Sequence, residues 1–261
     1  MQVGKYHPLG FHGPQRDSHA IRIGDEDMSA AEHDGPLSLR EMKRNAARAA
    51  LDFVEPGSVI GVGSGSTVWC FIDLLAETHM PLAGAVSASR ETSRRLRDIG
   101  IEVLELDHIV PCLYVDGADR VDMSGRALKG KGAALTHEKI VANACEYWAC
   151  IVDATKAARS LGGSPVSLEV AENMVGSVDD AIHALGGETR RCERIVTDDG
   201  NALFEASGLP LADPLAMEDA LDAIPGVIGN GIFAHRRADV ILVGRAGGGV
   251  GRIVPHTIEL H

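Results

Sequence analysis

Hydrophobic positions from Leu39 onward fall into two alternating patterns: short unbroken apolar runs, and longer stretches in which apolar residues recur every three or four positions. The first pattern marks buried strands and the second marks helices with one apolar face. In the first half this predicts a helix from Ser38 to about Val54, a strand at Val59–Val62, a helix over Ser66–Thr78, a strand at Ala83–Ser87 and a helix near Glu91–Ile99. Strands at Ile101–Leu106 and Leu113–Val115, a helix over Ala133–Glu146 and a strand at Trp148–Asp153 follow. Ser38 and Glu41 have capping-box spacing, which lets their side chains satisfy N–H groups at the start of the first helix, and Pro56-Gly57 ends that helix. Helices and apolar strands in alternation imply a parallel sheet covered on both faces, a doubly wound α/β arrangement.

The pattern changes at about Gly163. Strand (Val166–Val170), helix (Val175–Leu185), strand (Arg190–Val196), strand (Ala202–Ala206), helix (Leu215–Ala223) and strand (Val227–Phe233) succeed one another, and βαββαβ is the ferredoxin-like order. Asp199-Gly200-Asn201 supplies turn residues between the two central strands, as a hairpin requires. Ala238–Val243 returns to an apolar run of parallel-sheet type ahead of the glycine-rich Ala246–Gly251 turn, so the ferredoxin-like segment reads as an insertion. The expected boundaries are a flexible N-terminal extension at 1–37, a first domain at 38–162, the inserted domain at 163–236 and a return to the first domain at 237–261. His7, His12, His19 and His33 fall in the extension at irregular spacing among Gly, Pro and Asp, and read as a solvated tail rather than a metal site.

Composition narrows the function. A formal net charge of −12 over 261 residues weighs against a nucleic-acid or anionic-membrane surface. A small anionic ligand must therefore meet local positive charge. Five cysteines, Cys70, Cys112, Cys145, Cys150 and Cys192, contain no C-x-x-C pair and make neither a disulfide framework nor a zinc ribbon, which points to the reducing cytoplasm. No run reaches the roughly 20 apolar residues that span a bilayer, and the N-terminus lacks signal-peptide order.

Three segments carry the candidate chemistry. Gly61-Val62-Gly63-Ser64-Gly65-Ser66-Thr67 follows a predicted strand and opens a predicted helix, where free N–H groups and the helix dipole favour an anion. Alone, it is equally a tight structural turn. Ser66 replaces the third glycine of a dinucleotide fingerprint, Ser87-Ala88-Ser89 offers no ribose-binding acid, and no G-K-[ST] follows as in a Walker loop. Asp116-Gly117-Ala118-Asp119 sits just past a strand, where open parallel sheets bind ligands, although Asp and Gly are also ordinary turn residues. Lys129-Gly130-Lys131-Gly132 precedes a helix carrying Glu138. A lysine near two carboxylates can keep them ionised and orient a hydroxyl or a developing oxyanion. Asp-x-x-Asp could chelate a cation, but no further His or acid at ligand spacing completes a set, so no metal is expected. Lys156 follows the next strand and falls at the same sheet edge; it reads as a phosphate partner or a plain surface lysine.

With these segments in order, the chain resembles type A ribose-5-phosphate isomerase, in the superfamily that includes glucosamine-phosphate deaminase and coenzyme A transferases. The resemblance runs roughly from Leu39 to Val254 through G-V-G-S-G-S-T (61–67), Y-V-D-G-A-D (114–119), L-K-G-K-G-A-A-L-T-H-E-K (128–139), V-D-A-T-K (152–156), T-D-D-G-N (197–201) and D-P-L-A-M-E-D-A-L-D-A-I-P-G-V (213–227). It implies a Rossmann-like domain with an inserted ferredoxin-like domain, no cofactor, and a cytoplasmic homodimer or homotetramer. It also implies aldose–ketose isomerisation of D-ribose 5-phosphate and D-ribulose 5-phosphate through a cis-enediolate. By the same resemblance Glu138 is the base, Asp116 and Asp119 assist ring opening and proton shuttling, and Lys129 stabilises the oxyanion. Lys43, Ser64, Gly65, Ser66, Thr67, Gly117, Ala118, Gly130, Lys131, Gly132 and Lys156 bind substrate. Lys131 interrupts a run of glycines and Arg120 replaces a family acid, departures that leave another aldose phosphate or a free sugar as alternative substrates. Transferase or deaminase chemistry fits the motifs poorly, and a non-catalytic sugar-phosphate sensor would be expected to carry a basic nucleic-acid module that the chain lacks.

Overall fold

The computed structural model describes residues 36–255. The expectations for residues 1–35, the four histidines included, lie outside the described residues. The chain enters through α1 (Leu39–Ala50), where both halves of the Ser38/Glu41 capping box form. A single 3-10 turn at Leu51–Phe53 completes the predicted helix. β1 (Val59–Val62), α2 (Ser66–Thr78), β2 (Gly84–Ser87), α3 (Arg90–Asp98), β3 (Val103–Leu104) and β4 (Leu113–Asp116) follow. Next come β5 (Arg120–Asp122), β6 (Ala127–Leu128), α4 (Leu135–Ala144), β7 (Tyr147–Asp153) and β8 (Ala157–Ala158).

The second part contains β9 (Val166–Val170), α5 (Val175–Ala184), β10 (Glu188–Val196), β11 (Ala202–Ser207), α6 (Pro214–Asp222) and β12 (Val227–Asn230). After β13 (Ile232–Phe233) the chain returns through β14 (Val240–Gly244) and β15 (Val250–Ile253).

The large sheet has the order β15-β14-β7-β4-β1-β2-β3. It is parallel except for β15, which turns back antiparallel on β14 through the glycine-rich segment. Both faces are apolar, as period-2 burial on two sides demands. Ile60, Leu113, Val115, Ala149, Ile151 and Leu242 pack with α1, α2 and α3. Tyr114, Trp148, Cys150, Val152 and Ile241 pack on the other side with α4 and Phe233. The strand order reverses between β1 and β4, and such a switch point opens a crevice at the carboxyl ends of the strands.

A second sheet, β10-β11-β9-β12, is antiparallel throughout and has the ferredoxin-like strand order. Its apolar face, including Leu168, Val170, Phe204 and Ala206, packs with Val178 and Ile182 of α5 and Met217 and Leu221 of α6. Its other face turns Glu169 toward Thr136 of α4 and Ser167 toward Gly130.

Two expectations need correction. The run Val227–Phe233 is not one strand: it breaks at Gly231, so β12 belongs to the ferredoxin-like sheet and β13 to a third sheet of order β13-β6-β5-β8. A side chain at Gly231 would overlap the Lys129 carbonyl, and Asn230 Oδ1 accepts from Ile232 N at 2.8 Å to shape the crossing. The predicted Ile101–Leu106 strand contracts to the two residues of β3, at the sheet edge.

Candidate active site

The crevice at the switch point is built first from backbone. Val62 pairs with Val115 across β1 and β4, which brings Gly63 and Asp116 side by side just beyond the strands. A Cβ at Gly63 would overlap the Asp116 carboxyl, so this glycine is required by space. Gly65 is required by conformation, since it N-caps α2 at φ 102°. It offers α2 no side-chain cap, which leaves the first N–H groups of that helix for an anion. Lys43, from α1, donates to Ser66 Oγ at 2.9 Å, so a cation stands at the mouth of this loop. Ser64 and Ser89 meet through their hydroxyls at 3.2 Å.

Asp116 is fully buried and its acceptor positions are filled. Oδ1 accepts from Ser64 N at 3.1 Å and Gly117 N at 2.7 Å, while Oδ2 accepts from the Tyr114 hydroxyl and stands 2.7 Å from Lys129 Nζ. Lys129 Nζ also donates to the Gly117 carbonyl at 2.7 Å and lies 3.3 Å from Glu138 Oε2. Residues from β4, the loop after β6 and the first turns of α4 thus converge on one ammonium. Phe233 places its ring 5.7 Å from the same ammonium. Glu138 Oε2 is buried and, among the described residues, has no hydrogen-bond partner; Lys129 stands beside it as an ion-pair partner at 3.3 Å. The weakest contact of Lys129 is therefore the one a substrate oxygen can replace.

Electrostatics follow from burial. Desolvation pushes the Glu138 carboxyl up to about 8; Lys129 opposes the rise, and the Asp116 and Asp119 charges reinforce it. Burial also works against the Lys129 ammonium, but Asp116 and Glu138 outweigh it and hold the group above the ordinary lysine range. Burial, with Asp116 adding to it, raises Tyr114 well above its usual value and keeps it a neutral donor. Desolvation likewise pushes Cys150 up to about 12, leaving a neutral thiol. A base with a raised pKa gains its reactive form as pH rises. The expected pH profile of kcat/KM therefore has an acid limb well above the 4 to 5 of a free carboxyl and climbing toward 8. Initial rates between pH 5 and 9 check it.

The remaining predicted residues separate. Asp119 is partly exposed, and among the described residues its carboxylate is held only through Oδ2, which accepts from Lys131 N at 3.1 Å. Ser64, Gly65, Ser66, Thr67, Gly117 and Ala118 line the strand ends, and Gly130 adopts φ 110° with Ser167 closely behind it. Lys131 does not take a positive φ, so its side chain is accommodated; it is exposed and lines a cavity of about 380 Å³ with Ser167, Arg191, Cys192 and Leu203. That cavity is lined by none of Asp116, Lys129 or Glu138 and is a neighbour of the charged cluster, not its centre. The Lys156 carbonyl accepts from Val121 N at 2.9 Å, two residues past Asp119, and its ammonium makes no hydrogen bond or ion pair among the described residues. Arg120 is bound to Ser160 O at 2.8 Å and Ser164 Oγ at 3.2 Å, away from the cluster.

Tyr114, Ser89, Phe233 and Thr92, whose hydroxyl donates to the Gly63 carbonyl at 2.8 Å, receive no role from residue type and order alone. Tyr114 stands two residues before Asp116 on one strand face, and that spacing was a usable signal. Phe233 arrives from a distant two-residue strand and leaves no local trace. Among the described residues no cluster of three or more His, Cys, Asp or Glu is arranged to hold a metal ion, and no helix is long and apolar enough to cross a membrane.

Comparison with known proteins adds to this geometry. The family model described as ribose 5-phosphate isomerase A (phosphoriboisomerase A) matches residues 84–248. The ribose-5-phosphate isomerase A of Haemophilus ducreyi is 44% identical over 214 residues, covering 81% of this chain and 98% of that protein. The crystal structure of ribose 5-phosphate isomerase A from Neisseria gonorrhoeae superposes with a TM-score of 0.82 at 36% identity, covering 85% of this chain and all (100%) of the other. A D-ribose-5-phosphate isomerase in complex with phospho-erythronic acid superposes with a TM-score of 0.79 at 34% identity, covering 84% and 100% of the two chains.

Proposed function

This chain belongs to the ribose 5-phosphate isomerase A family, which interconverts D-ribose 5-phosphate and D-ribulose 5-phosphate, and we propose that it does so with Glu138 as the base that carries a proton between C2 and C1. The observation that carries the assignment is the buried, unbonded Oε2 of Glu138 beside an ammonium that Asp116 anchors, at the carboxyl ends of β1 and β4.

The 5-phosphate meets the uncapped N–H groups of α2, the Ser66 and Thr67 hydroxyls and Lys43, with Ser64 and Gly65 shaping the loop. Lysine serves here as a point charge against the phosphate. Lys156, in the turn just after β7, supplies a second cation on the same edge. Gly117, Ala118 and Gly130 to Gly132 bring backbone up to the sugar, with Lys131 at the rim.

In the forward direction the ionised Glu138 removes the proton from C2 of the open-chain aldose. The electron pair moves to the C1–C2 bond and the carbonyl oxygen gains the charge, giving the cis-enediolate. Lys129 swings its 3.3 Å contact from Glu138 to that oxygen, and preorganised charge of this kind acts most strongly where charge develops. A proton passes between the two hydroxyl oxygens, and Glu138 returns its own to C1. The full hydrogen bonding of Asp116 suits it to fixing Lys129, so ring opening and the hydroxyl proton fall mainly to Asp119, which keeps an oxygen available. The relative bound to phospho-erythronic acid supports this reading, because its ligand's carboxylate is a planar anion, as an enediolate is. Five free thiols support a reducing, cytoplasmic setting, and the family resemblance supports a homodimer or homotetramer.

The test incubates the pure protein with ribose 5-phosphate and follows ketose formation. Turnover unchanged by EDTA, and far slower with free ribose, is the expected result. Binding without turnover, or loss of turnover on chelation, contradicts the proposal.

A further inference from the structure

The helix that carries Glu138 begins poorly on its own account. α4 has no side-chain cap at its N-terminus, and the chain enters it through Ala133 at φ 60°, a left-handed conformation that costs a non-glycine residue about 1 kcal/mol. Something outside the helix must hold its first turn.

The ferredoxin-like sheet provides that hold. Three of the side chains flanking Glu138 end on carboxylates of the second sheet's segment: Thr136 on Glu169 of β9, His137 on Asp199 at 2.8 Å, and Lys139 on Glu218 of α6 at 2.7 Å. The Asp199 contact is exposed, whereas Glu169 is 1% exposed and lies at the centre of a network. One oxygen of Glu169 accepts from Thr197 Oγ1 at 2.7 Å and Asn201 Nδ2 at 2.8 Å, and the other accepts from the Thr136 hydroxyl. On its other side the Thr136 hydroxyl is hemmed in by Gly229 of β12, where an added Cβ would overlap it. The same hairpin tip reaches α3, where Asp198 accepts from Arg90 N at 2.7 Å. A buried carboxylate with three neutral donors is costly to disturb, because any donor removed leaves an oxygen unsatisfied.

We propose that Glu169, although it stands on the inserted sheet, is a positioning residue for the isomerisation: by binding the Thr136 hydroxyl it fixes the first turn of α4 and so the place of the Glu138 carboxylate beside Lys129. The proposal rests on Glu138 being the base. The groups facing that carboxylate, Lys129, Asp116, Asp119 and Tyr114, are untouched by changes at 136 or 169.

Thr136→Val keeps the branched shape and deletes the hydroxyl; Thr136→Ser keeps the hydroxyl. Thr136→Val is expected to lower kcat about tenfold or more, since displacement of a reacting group by about 1 Å costs on the order of a hundredfold. KM for ribose 5-phosphate should stay within about twofold, because the phosphate grip lies elsewhere. Water admitted around Glu138 should move the acid limb of kcat/KM to lower pH, and Thr136→Ser should restore both kcat and the limb. Wild-type kcat and limb in Thr136→Val, a loss carried by KM alone, or a serine variant as poor as the valine variant would each overturn the proposal. Should Thr136→Val not fold, Glu169→Gln is read in the same way. Glu138→Gln assayed in parallel separates the two ideas: if it stays active the base assignment fails, and if it is inactive while Thr136→Val is normal only the positioning role fails.

Discussion

Glu138→Gln is expected to lower kcat about 10³-fold while leaving KM for ribose 5-phosphate nearly unchanged. General acid–base transfer contributes on the order of 10²- to 10⁴-fold, and the amide cannot accept the C2 proton. Lys43, Ser66 and Thr67, proposed to hold the phosphate, are unaffected. The substitution should also stabilise the protein at alkaline pH. The folded-state pKa of Glu138 lies above its unfolded value, so the folded chain holds that proton more tightly and ionising it costs stability as pH rises from the unfolded pKa toward about 8. Glutamine removes that cost, and Asp116 remains to pair Lys129 at 2.7 Å. The difference in Tm between variant and wild type should therefore be small near pH 4 and grow through pH 8. Steady-state kinetics and thermal melts across that range check both parts.

Gly63→Ala is expected to be the most damaging single-methyl change in the site, with about a hundredfold loss of kcat and about 1–3 kcal/mol of stability. The added Cβ would overlap the Asp116 carboxyl, and neither partner can give way. Gly63 is pinned by its N–H to Val115 O at 2.9 Å and by Thr92 Oγ1 donating to its carbonyl at 2.8 Å. Asp116 is pinned by Tyr114, Ser64, Gly117 and Lys129. Moving it leaves Lys129 drawn toward Glu138, with the ammonium and the proposed base out of place. Urea unfolding together with kcat measures the effect, and a stable, fully active variant would mean that Asp116 does not organise Lys129.

The large sheet and the helix that carries Glu138 were legible because their signals are local and repeated. The β1 and β7 runs are continuous and apolar, the Ser38/Glu41 box forms as spaced, and Asp199-Gly200-Asn201 turns the hairpin as its residues demand. The third sheet was not legible: β6, β8 and β13 have two residues each, too few for any period to show, and apart from the local β5–β6 pair they are joined by partners far along the chain. The break between β12 and β13 was invisible for the same reason, since it depends on the Lys129 carbonyl passing against Gly231. In the site, Asp116, Lys129 and Glu138 were found from residue type and order. That Asp116 would be saturated, leaving Asp119 the freer carboxylate, depends on Tyr114 and two backbone N–H groups that type and order do not report. Glu169 was unreadable in the same way, because a glutamate within an apolar strand declares its burial only when Thr136, Thr197 and Asn201 arrive from elsewhere.

The most direct test follows deuterium by NMR in D₂O with ribose 5-phosphate and either wild type or Glu138→Gln. Wild type is predicted to place solvent deuterium on C1 of the ketose and, on reversal, on C2 of the aldose, whereas the variant exchanges neither while still binding substrate. Exchange by the variant at a rate close to wild type would contradict the assignment of the buried glutamate as the proton carrier.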